Sequence, residues 1–196
     1  MDPIGTLTIQ AASGTGQGIR AHFYEGSSLD LNLKNPDNYD ENDKFASFSG
    51  GHDVLNLINN SWDNTVLTFD DGATINLNAV DGYFNEGVYR IITLTNFASG
   101  NANSFVYDDG TLPLTDYLNS GDGFNIEGLE YGLTTNDYEF VFSTLTSGNE
   151  VYLDLTINYI GSGVNGPGHQ GPLTPEPASL GLLGLGAGLL LLRRKR

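Results

Sequence analysis

The sequence predicts an all-β protein, because polar and apolar residues alternate along several short segments that turn signals separate. The clearest strand spans residues 151–159, where Val151, Leu153, Leu155, Ile157 and Tyr159 share one face. Residues 29–34 and 73–78 alternate in the same way. Asp-Gly pairs suited to tight turns with positive φ begin at Asp71, Asp81, Asp109 and Asp122. Before residue 175, no run of apolar residues at helical spacing indicates a helix.

A weak repeat favours a β-solenoid with parallel strands over other all-β architectures. Leucine-asparagine-leucine or similar triplets begin at Leu31, Leu55 and Ile75, at spacings of 24 and 20 residues. Such a period suits one solenoid coil. Because any all-β chain with short strands produces such triplets by chance, an antiparallel β-sandwich remains the alternative.

The chain divides into three parts. Residues 1–160 have the length of one domain. Residues 161–174 contain five glycines and two prolines and predict a disordered linker. As a flexible coil the linker would span about 20 Å root-mean-square. Residues 175–196 form a separate tail.

The tail has three segments in a fixed order. Pro175, Glu176 and Pro177 form a stiff, extended motif that a processing enzyme can read. Residues 180–192 contain only Leu, Gly and Ala, and as a helix they would span about 20 Å of a bilayer core that is roughly 30 Å thick. This run predicts a short transmembrane helix that anchors poorly. The positive-inside rule places the basic end in the cytoplasm and the body across the membrane; that end is Arg193, Arg194, Lys195 and Arg196.

This order resembles the sorting tails of PEP-CTERM proteins of Gram-negative bacteria, which read Pro-Glu-Pro, a short transmembrane run and an Arg-rich end. The resemblance covers residues 175–196. It implies export by a Sec-type signal, recognition by an exosortase, and release or transfer to the cell surface, often beside exopolysaccharide production. The body is loosely similar to the β-rich regions of autotransporter passengers, on residues 53–57, 67–77, 87–92 and 148–153.

The first residues do not match the family pattern. Residues 1–9 have neither a basic region nor a long apolar run, so they predict no secretory signal peptide. Because the tail implies export, we expect the sequence to begin at a mature or truncated N-terminus.

Charge and composition exclude several classes of function. The net charge is −16, and four of the eight basic residues are the last four of the chain. Nucleic acid is therefore not an expected partner, because its phosphates require a basic patch. The chain has no cysteine, which excludes disulfides, a thiolate nucleophile and Cys-ligated zinc.

No motif indicates catalysis, and the sequence predicts that the protein is not an enzyme. The three histidines are His22, His52 and His169, and no nucleophile elbow accompanies them. Residues 49–53 bring triad residue types together, but we interpret them as a turn that carries a surface histidine. The carboxylate pairs Glu127/Glu130 and Asp137/Glu139 arise by chance among 24 acidic residues.

Two segments are candidates for binding. Residues 37–43 are the densest cluster of oxygen ligands and could hold Ca²⁺, although a solvated acidic loop is the favoured interpretation. No other cofactor is expected. Trp62, the single tryptophan, lies among Asn and Asp side chains of the kind that a lectin site uses, but packing on the core is the favoured interpretation.

Together these features predict an exported structural or adhesion protein of the cell surface or extracellular matrix. Its expected partners are an exosortase and the inner membrane, which anchors it transiently during sorting, with exopolysaccharide as a further candidate. The alternative function is a carbohydrate-binding module of the exopolysaccharide layer.

Overall fold

A computed structural model describes residues 6–10, 19–34, 47–48, 52–59, 66–95, 105–108 and 112–161. These residues are mostly β-strand with one short α-helix, so the predicted all-β class is confirmed. The described residues lie in one compact unit, residues 1–162. The predicted transmembrane run, residues 180–192, lies outside the described residues. The elements are β1 (Thr6–Gln10), β2 (Arg20–Phe23), β3 (Ser28–Leu33), β4 (Ser47–Phe48), β5 (Val54–Ile58), β6 (Val66–Phe69), β7 (Thr74–Ala79), β8 (Gly87–Thr95), β9 (Phe105–Tyr107), β10 (Leu112–Pro113), α1 (Leu114–Ser120), β11 (Phe124–Glu127), β12 (Tyr138–Ser147) and β13 (Glu150–Tyr159).

The strands form three sheets, and most neighbouring strands run parallel. The first sheet has the order β1-β5-β8-β13-β12, with β4 also paired to β8. The second has the order β10-β9-β6-β2, and the third the order β11-β7-β3. Each of the three passes β1 to β3, β5 to β7, and β8 to β11 contributes to every sheet, and the third pass contributes both β9 and β10 to the second sheet. Apolar side chains from all three sheets meet in one core, including Leu55, Leu67 and Leu77.

The spacing of the parallel partners corrects the predicted repeat. Leu31 pairs with Leu77, so these strands lie 46 residues apart along the chain. The triplet that begins at Leu55 belongs to β5 in a different sheet. The predicted period of 20 to 24 residues is therefore wrong, because the same alternation of apolar and polar residues marks strands of different sheets.

Turn glycines and one helix interrupt the strands. Gly72 and Gly82 each follow an aspartate, and the φ values of these two glycines are 78° and 82°. The Asp-Gly pairs in the sequence predicted these positive φ values. At Asp122-Gly123 the positive φ belongs instead to Gly121, which ends α1. The sequence did not predict this helix, since its seven residues offer only three buried positions at helical spacing, Leu114, Tyr117 and Leu118.

The hairpin β12–β13 adds two strands to the first sheet, and both pair with their neighbours in the antiparallel orientation. The predicted inner face of β13 is buried at Val151, Leu153, Leu155 and Ile157. Glu139 is exposed on β12 between buried Tyr138 and partly buried Phe140.

The outer face of β13 is covered as well, by an arginine on β8. Arg90 lies directly opposite Asp154, and its Nε and Nη2 atoms donate hydrogen bonds of 3.0 and 3.2 Å to the two carboxylate oxygens. Its guanidinium carbon lies 3.6 Å from the centroid of the Tyr152 ring, a cation–π contact. Tyr152 in turn donates a hydrogen bond to the carboxylate of Glu150. The hydrogen bond to Asp154 raises the pKa of Arg90.

We expect Leu155→Ala to lower the free energy of unfolding by about 2 to 5 kcal/mol, because it leaves a cavity in a tightly packed core. Leu155 is fully buried, whereas Leu145 on the neighbouring strand is 49% exposed. Leu145→Ala is therefore the control, with an expected loss under about 1 kcal/mol. Urea unfolding followed by circular dichroism measures both. Equal losses would contradict the burial that the structure assigns to β13.

We expect Arg90→Ala to lower the free energy of unfolding by about 1 to 3 kcal/mol, because it leaves the Asp154 carboxylate without its cation. The Asp154 side chain is only 8% exposed. Arg20→Ala, on an exposed strand residue, is the control. The double variant Arg90→Met with Asp154→Leu should recover much of the loss, since it removes both charges together. The same unfolding assay measures all four proteins, and a double variant as unstable as Arg90→Ala would speak against the ion pair as the cause.

Candidate functional sites

The predicted sorting motif and basic end lie outside the described residues. These are Pro175, Glu176, Pro177, Arg193, Arg194, Lys195 and Arg196. Residues 37–43 and Trp62, the candidates for calcium and sugar binding, also lie outside them. Across the ranges that the structure describes, no helix is long and apolar enough to span a membrane. Within the same ranges, no three acidic or histidine side chains are grouped as metal ligands.

His52 is buried, so the prediction of a surface histidine is wrong. The residue is only 4% exposed and forms an isolated bridge with Leu33. Its Nε2 atom lies 3.0 Å from the carbonyl oxygen of Arg90, and its ring meets the edge of Tyr89 at 5.6 Å. The polar neighbours of His52 in the sequence suggested a turn at the surface. Only the long-range contacts with β3 and β8 show that it belongs to the core.

In one of the two nominal carboxylate pairs, Asp137 and Glu139, each residue stabilises local structure. Asp137 accepts hydrogen bonds of 2.8 and 3.0 Å from the backbone N–H and the hydroxyl of Thr134, and so caps the short 3₁₀ turn Thr135–Asp137. Glu139 accepts a hydrogen bond of 3.0 Å from the side chain of Asn158 on the paired strand. Glu127 and Glu130 are exposed. The structure therefore gives Asp137 and Glu139 structural partners.

Side-chain amides form two rows on the outer face of the third sheet. Parallel register aligns Asp30, Asn76 and Asn125 across three strands. The Asn125 amide donates to Asn76 at 2.9 Å, and the Asn76 amide donates to Asp30 at 2.5 Å. In the next row, Asn78 donates to Asn32 at 2.8 Å. These rows tie successive passes of the chain together.

The outer face of the second sheet carries an exposed aromatic cluster that the sequence analysis did not identify. Phe23 points inward and stacks on Phe69 at 4.6 Å, which turns the preceding His22 outward. The His22 ring stacks on Tyr24 at 4.2 Å, and its Nε2 atom lies 2.6 Å from a carboxylate oxygen of Asp70. Tyr24 is 64% exposed.

The chemistry of this cluster suits a polar ligand with an apolar face. An exposed ring offers a stacking surface, and a neighbouring imidazole and carboxylate offer hydrogen-bond partners. The sequence did offer one signal that His22 faces outward: Ala21 and Phe23 of β2 are apolar, while Arg20 and His22 are polar. The contact with Asp70 could not be found from the sequence, since the two residues are 48 positions apart in the chain.

Comparison with known proteins identifies the tail. Residues 173–196 match the family model of the PEP-CTERM protein-sorting motif. No curated protein and no solved structure matched the chain. The motif directs export, membrane-anchored processing and recognition by an exosortase. The chain is therefore a PEP-CTERM sorting domain-containing protein.

Proposed function

We propose that this protein is a structural or adhesive component of the cell surface or extracellular matrix, delivered there by its sorting tail. The single observation that carries the proposal is the match of residues 173–196 to the sorting motif. The role is proposed to be non-enzymatic and to require no cofactor. The strongly acidic composition of the chain, with a net charge of −16, favours solubility outside the cell.

We further propose that residues 1–160 fold as a β-solenoid. In support, the strands of successive passes pair in parallel in all three sheets, with partners 46 residues apart in β2–β6 and β3–β7. The amide rows on the third sheet add side-chain hydrogen bonds to this stacking. Parallel pairing argues against the alternative antiparallel sandwich, because a sandwich of hairpins pairs neighbouring strands in opposite directions. A stack of parallel strands suits a surface or matrix scaffold.

A second candidate function is carbohydrate binding in the exopolysaccharide layer. The exposed Tyr24 ring, with His22 and Asp70 beside it, favours this function. A sugar ring has one apolar face that can stack on an aromatic ring and hydroxyls that can reach an imidazole or a carboxylate. Trp62 remains a second candidate residue for the same function.

We expect Glu176→Ala to block processing of the tail, because it removes the charged side chain of the recognition motif. The wild-type chain, produced in a bacterium that contains an exosortase, should lose residues 180–196 before it reaches the surface. Mass spectrometry of the C-terminus in membrane and surface fractions measures this loss. Glu130→Ala, which changes an exposed acid of the body, should be processed normally. A mature surface form that retains residues 180–196 would contradict sorting by cleavage.

We expect Tyr24→Ala to weaken any binding of exopolysaccharide between about two-fold and ten-fold, because one aromatic stacking contact contributes about 0.5 to 1.5 kcal/mol. Tyr131→Ala is the matched control, since Tyr131 is 66% exposed on a different turn. A glycan array followed by titration with purified polysaccharide measures both variants, and Trp62→Ala forms a separate arm. The carbohydrate candidate fails if the wild-type protein binds no glycan.

A further inference from the structure

Strand β12 ends the first sheet, and its sequence favours pairing with a further strand. Among the described residues, β12 pairs only with β13. Residues 140–147 read Phe-Val-Phe-Ser-Thr-Leu-Thr-Ser, without a charge, a proline or a glycine. Val141 and Leu145 are exposed. An uncharged segment of high β-propensity at a sheet edge promotes association with other chains, so this edge requires protection.

One side-chain amide of helix α1 occupies the middle of the β12 edge. The backbone N–H of Phe142 donates a hydrogen bond of 2.8 Å to Oδ1 of Asn119. In return, Nδ2 of Asn119 donates a hydrogen bond of 2.9 Å to the carbonyl oxygen of Phe142. Two residues of neighbouring antiparallel strands exchange the same pair of bonds. Asn119 therefore takes the place that a residue of a further strand would occupy.

Asn119 divides the β12 edge into two short pieces. In an antiparallel pair, every second residue directs its backbone N–H and C=O away from the partner strand. Phe142 belongs to this series, because its backbone groups bond to Asn119. The other members between residues 140 and 147 are Phe140, Thr144 and Thr146. A further strand could therefore pair only with Phe140 on one side of Asn119, or with the two threonines on the other.

Helix α1 is fixed to the core by residues other than Asn119. Leu114 and Leu118 are fully buried. The Tyr117 ring stacks on the Tyr107 ring, with 4.0 Å between the ring centroids. Because these contacts hold the helix, they also hold Asn119 against β12. Replacing the Asn119 side chain leaves these contacts in place.

We propose that helix α1 protects the β12 edge, and that the Asn119 amide prevents the first sheet from pairing with a strand of another chain. The protection replaces the charges and prolines that other sheet edges use. Without it, residues 140–147 become a template for a further strand. In a purified sample the available strands are those of other copies, so loss of the Asn119 amide should cause self-association.

Hydrogen exchange tests whether Asn119 closes the edge. In full-length Asn119→Ala in detergent, the Phe142 amide hydrogen should exchange about ten-fold faster than in the wild type, because its hydrogen bond is lost. Mass spectrometry of the peptide that contains residues 140–147 measures the rate. Ser120→Ala is the matched control, since the Ser120 hydroxyl donates to a carbonyl of its own helix. Equal exchange in the wild type and Asn119→Ala would overturn the proposal.

Light scattering separates protection of the edge from a merely structural role of Asn119. The mass of Asn119→Ala should rise above that of the wild type, while Ser120→Ala should match the wild type. The double variant Asn119→Ala with Thr144→Lys should also match it, because an ammonium group at the exposed edge opposes strand addition. Urea unfolding should show that the double variant recovers no stability. An Asn119→Ala protein with the wild-type mass, or a double variant that associates as readily as Asn119→Ala, would overturn the proposal.

Discussion

Parallel register between successive passes of the chain is the constraint on which the rest of the structure depends. It places Leu31 beside Leu77 inside the protein and Asp30 beside Asn76 outside it. One alignment therefore packs the core and forms the amide rows at the same time. A shift by a single residue would expose the leucines and bury the amides, because side chains alternate between the faces of a strand. Buried apolar residues favour this register in all three sheets, and the amide rows add to it in the third sheet.

The two edges of the first sheet differ physically. At one edge the hairpin β12–β13 continues the sheet, and the ion pair of Arg90 with Asp154 covers its outer face together with Tyr152. At the other edge β1 leaves Leu7 and Ile9 exposed although their partners on β5 are buried. The delivery signal is in residues 173–196, outside the residues that the structure describes.

Much of the strand pattern could be predicted locally. The inner face of β13 and the turn glycines Gly72 and Gly82 follow from alternation and turn chemistry. Helix α1 could not be found, because its three buried residues do not establish a helical period. The surface location expected for His52 was wrong for a related reason, since its burial depends on contacts with Tyr89 and Arg90 from distant strands.

The sequence by itself determined the all-β class and the sorting tail, because both are written in short local patterns: alternation with a period of two, and an ordered motif in residues 175–196. Tertiary structure alone decided which strands pair. The repeat of leucine triplets could not reveal that Leu31 pairs with Leu77, 46 residues away, since strands of every sheet share the same alternation. For the same reason only the fold brought His22 to Asp70.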